Sequence, residues 1–221
     1  LVGRSFKYHR PRGFFGAGVD DPYALVQLIR NNESIPNVKA TEQELFEGLE
    51  AKSVNCWPNV NFDIGGINNF LIIFLPAGFY YKRFMWPKSF WYKVYEPFIR
   101  KAAGLGVAST KHDKERYEHK YEYCDLLITG SGPSGLASAY SAAKNGAKVI
   151  LAEDKPRFGG SLLTSDVNIG NESGKEWADK IITELKSMPN VVVKNRAQVF
   201  GYYDHNMLVM SERLTEHLPK S

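Results

Sequence analysis

Cysteine is almost missing from this chain: Cys56 and Cys124 are the only two in 221 residues, and no CxxC pair occurs. A cysteine-ligated zinc or iron–sulfur site within the chain is therefore excluded, and there is no disulfide framework. A reducing, cytoplasmic location is the default for such a sequence. Long apolar runs are missing too. The longest, Phe70 to Phe79, contains Pro76 and is about half the length that a bilayer-spanning helix needs. A buried or interface segment is expected there, not a membrane one. An excess of one charge sign is small: the formal net charge is +4, which does not by itself imply a polyanionic partner. No Met opens the chain at Leu1 and no secretory pattern follows, so a portion of a longer polypeptide is expected.

Against these absences stands one dense signal, Gly130-Ser131-Gly132-Pro133-Ser134-Gly135. The apolar run Asp125 to Thr129 before it reads as a buried strand. Leu136 to Asn145 after it, rich in Ala and Ser and ended by Gly146, reads as a helix. Lys148 to Glu153 reads as a second strand that ends on an acid. A lone G-x-G-x-x-G is weak evidence, but strand, glycine turn, helix, strand and acid in succession specify a dinucleotide site.

Each residue type has a physical task. Gly130 permits the tight turn, Gly132 lets backbone approach a pyrophosphate, and Gly135 lets the helix pack on the sheet without a Cβ between them. The helix N-terminus offers unpaired N–H groups and the positive end of its dipole. Glu153, 18 residues after Gly135, is placed to accept from a ribose hydroxyl. With Asp154 beside it, a 2′-phosphate is repelled, which favours NAD or FAD over NADP. The motif alone does not choose between those two.

Three regions differ in composition. Residues 1–55 mix basic and turn signals with short strand-like pieces, Asn37 to Thr41 among them, although Thr41 also suits a cap on the Glu-rich turn that follows. Residues 56–123 hold fourteen aromatics from Trp57 to Phe98 and then a charged linker. Residues 124–221 carry the nucleotide unit. Within it Phe158-Gly159-Gly160-Ser161 offers a second backbone approach. Trp177, Ala178, Ile181, Ile182 and Leu185 form an apolar stripe, so 174–187 is expected to be a helix. Val191 to Val193 then reads as a strand, and a turn at Asp204-His205-Asn206 lies between two more.

The runs Gly3 to Gly13, Ala77 to Pro87 and Val199 to Asn206 resemble the α subunit of heterotetrameric sarcosine oxidase over nearly the whole chain. That resemblance implies a subunit of an enzyme that oxidatively demethylates sarcosine to glycine with oxygen, tetrahydrofolate taking the one-carbon unit. It implies NAD in this chain, with FAD as the alternative. It also implies an amine-oxidising FAD on the β subunit, with an FMN near the boundary between the two. Further subunits complete the hetero-oligomer, with neither nucleic acid nor membrane as partner. The implied fold is α/β: a doubly wound parallel-sheet dinucleotide-binding domain preceded by a truncated ferredoxin-like β-grasp module. Related dehydrogenase subunits hold a cluster in that module, but here Gly13 to Asp21 contains no cysteine, so a structural module is expected.

Carried onto matching positions, the resemblance puts Gly130, Gly132, Ser134 and Gly135 in the phosphate turn. Glu153, Asp154 and Lys155 fall at the adenosine ribose, Gly159, Gly160 and Ser161 at the second approach, and Val199 against adenine. The family's Asp-Glu order is reversed here, which leaves the ribose-holding acid open. No catalytic constellation assembles from the chain's own residues. The basic run Arg4 to Arg12 reads as a hairpin meeting acids or another subunit sooner than as a nucleic-acid patch. The aromatic block reads as interface sooner than ligand cage. His205 beside Asp204 is explained by a turn as well as by a general base. Cys124 reads as a small apolar residue, and Cys56 has no paired base. A dinucleotide-stabilised scaffold for flavoprotein partners, or a subunit of a related opine or hydroxyproline dehydrogenase, is the alternative function.

Overall fold

The computed structural model describes residues 25–30, 33–54, 56–59, 61–67, 86–102, 104–112, 116–215 and 217–218. The basic run Arg4 to Arg12, the stretch Gly13 to Asp21 and the aromatic run from Phe70 to Phe84 lie outside them. The chain divides into two compact units, Leu1–Glu115 and Arg116–Ser221.

In the first unit, β1 (Leu25–Arg30) is the centre of a three-stranded antiparallel sheet, flanked by β2 (Glu33–Lys39) and β3 (Glu50–Ser53). The β1–β2 register breaks between Val26 and Leu28. Asn37 there takes a left-handed conformation (φ 58°), one that Asn tolerates well. Its Oδ1 accepts the Gly106 N–H at 2.8 Å. The strand thus runs Glu33–Lys39, not Asn37 to Thr41. Its alternation is interrupted by Pro36 and Asn37, which hides it from a periodicity reading. Thr41 falls in the turn after β2, where the Glu42 and Gln43 N–H groups both bond the Lys39 carbonyl. Further on, α1 (Glu96–Ala102) carries an Arg100–Glu96 ion pair. Of the aromatic block, Trp57, Phe62, Trp86, Phe90, Tyr92 and Phe98 are exposed.

The second unit is built on a parallel sheet of three strands, β4 (Leu126–Thr129), β5 (Val149–Ala152) and β8 (Val191–Lys194), with β5 in the middle. Between them run α2 (Pro133–Lys144) and α3 (Gly174–Ser187). Both crossovers step the same way across the sheet, so with right-handed connections both helices cover one face, and they pack on each other. The buried core joins Ile128, Val149 and Leu151 of the sheet to Leu136, Ala139 and Ala143 of α2 and to Ala178, Ile181, Ile182 and Leu185 of α3. The alanines of α2 let it lie close to the sheet. Each fully buried Leu or Val contributes about 1.5–3 kcal/mol relative to exposure.

Helix α3 spans the residues that its stripe predicts, because Ser173 and Glu176 form a reciprocal capping box at its start. Helix α2 begins three residues before Leu136, at Pro133, since Pro is preorganised for the first helical position and Gly132 serves as the N-cap. At the other end of α2, the Asn190 side-chain amide donates to the carbonyls of Ala143 (2.9 Å) and Ala147 (2.7 Å). Two short strands, β6 (Asn168–Ile169) and β7 (Glu172–Ser173), precede α3. Beyond β8, β9 (Ala197–Tyr203) and β10 (Met207–Glu212) form an antiparallel ribbon around the turn Asp204–Asn206. Lys194 bridges Glu212 at 2.9 Å and Glu122 at 3.3 Å, which ties the charged stretch before Asp125 to this unit. Among the described residues, no helix is long and apolar enough to cross a membrane.

Candidate dinucleotide site

Parallel pairing puts the ends of β4 and β5 level, Thr129 opposite Ala152. Gly130 and Glu153 therefore leave the same sheet edge side by side, and the Gly130 N–H reaches the Ala152 carbonyl at 2.7 Å. Gly130 turns the chain with φ +90°, a conformation that L side chains resist. Gly135 lies where α2 meets the strand end; a Cβ there would sit 2.0 Å from the Gly130 carbonyl oxygen. Gly132 differs, because a Cβ built on it meets nothing within 4 Å. The backbone is bare at that point and the space beside it is open.

The N-terminus of α2 faces the same edge. Its cap residue Gly132 offers no side-chain hydrogen bond, and Pro133 is the first helical residue. The amides of Ser134 and Gly135, at the second and third helical positions, are thus among those a helix start leaves to a ligand. Ser134 is exposed there.

The two acids point different ways. Glu153 is buried, at 5% exposure, and its carboxylate turns into the glycine turn. Its Oε2 accepts the Ser131 N–H at 2.8 Å and the Ser131 hydroxyl at 2.5 Å, while Oε1 accepts the Lys155 N–H at 3.0 Å. Asp154 makes no bond to Ser131 and has its carboxylate 3.2 Å from the Lys155 ammonium. Burial alone would raise Asp154, but hydrogen bonding with Glu153 and Lys155 and the Lys155 charge outweigh it and hold the carboxyl below its ordinary value. The loop is stapled from behind. Ala197 N–H bonds the Glu153 carbonyl (2.8 Å), Arg196 N–H the Lys155 carbonyl (3.1 Å), and the Arg213 guanidinium the Asp154 carbonyl (2.8 Å).

The second glycine pair comes to the first. The Gly159 N–H donates to both the Ser131 carbonyl and the Ser131 hydroxyl, each at 3.1 Å. Gly160 approaches Gly132 so closely that a Cβ on Gly160 would lie 2.9 Å from the Gly132 Cα. Gly160 opens a short 3-10 turn, Gly160–Leu163, in which Ser161 engages through its carbonyl with the N–H groups of Thr164 (3.2 Å) and Ser165 (3.1 Å). Val199 lies half-buried on β9, opposite Met210. It is two residues past Ala197, whose N–H ties β9 to the Glu153 carbonyl.

Gly130, Gly132, Gly135, Glu153, Gly159 and Gly160 thus form one cluster, with Ser134, Asp154, Lys155 and Ser161 at its margin. Ser131, wholly buried, escapes a reading of the sequence, because it stands at a variable position of the motif. Its small polar side chain between two glycines, with an acid one strand later, is the available signal. Elsewhere, His205 occupies the hairpin tip with φ 60°, a turn role, and burial pushes the Cys124 thiol up, away from nucleophilic use.

A glycine turn, a helix start and a buried acid at the C-terminal edge of parallel strands are the features of a nucleotide-dependent oxidoreductase domain, and the FAD dependent oxidoreductase family matches residues 125–201. Over nearly its whole length the chain is homologous to α subunits of sarcosine oxidase. It is 51% identical over 218 residues to that of Rhizobium meliloti (strain 1021), 99% of this chain and 22% of the relative. It is 28% identical over 220 residues to that of Corynebacterium sp. (strain U-96), 98% of this chain and 18% of the relative. An opine oxidase subunit of Agrobacterium tumefaciens (strain Ach5) matches 36% of this chain and 17% of its own, at 42% identity. The chain spans about a fifth of the length of the sarcosine oxidase relatives that it matches.

A 2Fe-2S iron-sulfur cluster binding domain matches residues 1–56, but the donor set does not fit a cluster. Cys56 is the only cysteine in that range and His9 the only histidine, where four Cys or His ligands are required. Among the described residues, no group of three or more His, Cys, Asp or Glu is placed to hold a metal.

Proposed function

We propose that the second unit binds the ADP half of a dinucleotide across the glycine turn, within the α subunit of a sarcosine-oxidising flavoprotein assembly. The observation that carries this reading is Glu153, a buried carboxylate held against the glycine turn by Ser131. In this reading Gly132, Ser134 and Gly135 present backbone to the pyrophosphate, Gly159, Gly160 and Ser161 flank it, and Glu153 accepts from the adenosine ribose. Asp154 and Lys155 line the rim, and Val199 lies toward adenine. FAD is favoured by the matching oxidoreductase family, NAD by the likeness to sarcosine oxidase α subunits, and both share the ADP half. Residues 1–55 are a cluster-free ferredoxin-like module, followed by an aromatic segment to residue 123 that meets other subunits.

The substrate follows from the same likeness: oxidation of sarcosine to glycine, with tetrahydrofolate as one-carbon acceptor. The amine-oxidising flavin lies on a β subunit, with an FMN at its boundary. The test is to purify the full-length protein with its partners, extract the bound nucleotides, identify them by mass and absorbance, and assay sarcosine turnover. Recovery of no adenine dinucleotide attributable to this subunit would overturn the proposal. A role in opine oxidation is the second reading, supported by the Agrobacterium match. Turnover of opines and not of sarcosine by the intact assembly would select it.

A further inference from the structure

The geometry points to Ser131 as the positioning residue that sets Glu153 for a ribose hydroxyl. This rests on the reading above, in which Glu153 is the ribose acceptor.

The argument is one of satisfied hydrogen-bonding capacity. A carboxylate oxygen has two acceptor positions and a serine hydroxyl one donor and two. Oε2 of Glu153 is filled by the Ser131 N–H and hydroxyl, and Oε1 takes the Lys155 N–H. Oε1 is thus the oxygen that Ser131 does not engage. The Ser131 hydroxyl spends its donor on Glu153 and accepts the Gly159 N–H at 3.1 Å. Ser131 is 0% exposed, so water does not replace these bonds when one is lost. Turning the carboxylate away would strand a buried hydroxyl and a buried N–H together, at a cost greater than one ordinary hydrogen bond. Glu153 is thereby held in one orientation, with Oε1 as the oxygen turned away from Ser131. The Gly159 N–H also reaches the Ser131 carbonyl at 3.1 Å, so the Gly159–Gly160 turn keeps a tie to Ser131 without the hydroxyl. The ribose contact thus depends on a side chain that does not touch the ribose.

The test uses two probes that differ only in the ribose hydroxyls, ADP and 2′,3′-dideoxy-ADP, titrated into the full-length protein and its Ser131→Ala variant. Wild type is expected to favour ADP by about tenfold or more, a hydrogen bond to a charged acceptor. Ser131→Ala should weaken ADP by about tenfold and leave dideoxy-ADP within about twofold, because only the hydroxyl-bearing ligand uses Glu153. Equal losses for both probes, as a merely structural role gives, would overturn the proposal, as would no loss for either. Should Ser131→Ala fail to fold, Ser131→Cys carries the same two arms with the same expectation, since a thiol is a much weaker donor. A wild type that does not distinguish the probes would instead overturn the ribose reading of Glu153, and this inference with it.

Discussion

Replacing Gly132 with Val separates ligand binding from folding. Gly132 has φ −66° and ψ 180°, extended backbone that any residue adopts, and the residue before a proline prefers that region. A Cβ there meets nothing within 4 Å, so the branch point of the side chain displaces no neighbour. Two small effects remain. Losing glycine freedom in the unfolded chain stabilises by about 0.4–1 kcal/mol, and losing glycine at an N-cap costs about 0.5–1 kcal/mol. They nearly cancel, and the melting temperature of ligand-free protein should stay within a few degrees. Binding is another matter. A side chain in the open space holds a diphosphate away from the Ser134 and Gly135 amides. Each charge-assisted bond lost costs about 1.5–3 kcal/mol, about 3–6 kcal/mol for two, or roughly 10²- to 10⁴-fold in affinity. Titration of the full-length Gly132→Val protein with ADP, beside its melting curve, measures both quantities. A folded variant with unchanged ADP affinity refutes the reasoning.

Gly135→Ala should do the reverse of a silent change: with a Cβ 2.0 Å from the Gly130 carbonyl oxygen, overpacking is expected to cost about 1–3 kcal/mol or more, read as a lowered denaturation midpoint, and an unshifted midpoint contradicts it. Asn190→Ala leaves the Ala143 and Ala147 carbonyls without their side-chain donor and should destabilise by about 1–3 kcal/mol; urea unfolding checks it. At the start of α3, the Ser173 N–H and then the Ser173 hydroxyl hold the Glu176 carboxyl below its ordinary value. A lowered folded pKa contributes stability above the unfolded glutamate value of about 4.3, lost as pH falls through the folded pKa. The stability gap between wild type and Glu176→Gln should therefore close on acidification, and a gap that widens toward low pH contradicts the capping box. At the ribose, the Glu153 carboxylate should disfavour a 2′-phosphate, so NADP is expected to bind about tenfold or more weakly than NAD; equal affinities in a competition titration would defeat that.

Most of the second unit is legible in the sequence because its signals are local. Helix α3 announces itself by the spacing of Trp177, Ile181 and Leu185 and by Ser173 three residues before Glu176. The two strands around the glycine turn are short apolar runs with turn residues at both ends. The β2 strand is harder to read because Pro36 and Asn37 break its alternation. The start of α2 is easily placed too late, because Pro133 looks like a breaker until Gly132 is seen to cap a helix. The exposure of Trp86, Tyr92 and Phe98 is not legible, since composition does not distinguish a buried ring from an exposed one.

The order of strand, turn, helix, strand and acid, and hence the proposed class of ligand, is written along the chain, because turn chemistry and hydrophobic period act over a few residues. Which acid faces the turn is not written there. Neighbouring residues at a strand end point opposite ways, and only the pairing of Thr129 with Ala152 puts Glu153 rather than Asp154 against Ser131. That contact spans 22 residues and the one from Gly159 to Ser131 spans 28. Hydrogen bonds between groups so far apart exist only once the sheet has closed, so the tertiary structure alone made Ser131 the hub of the site.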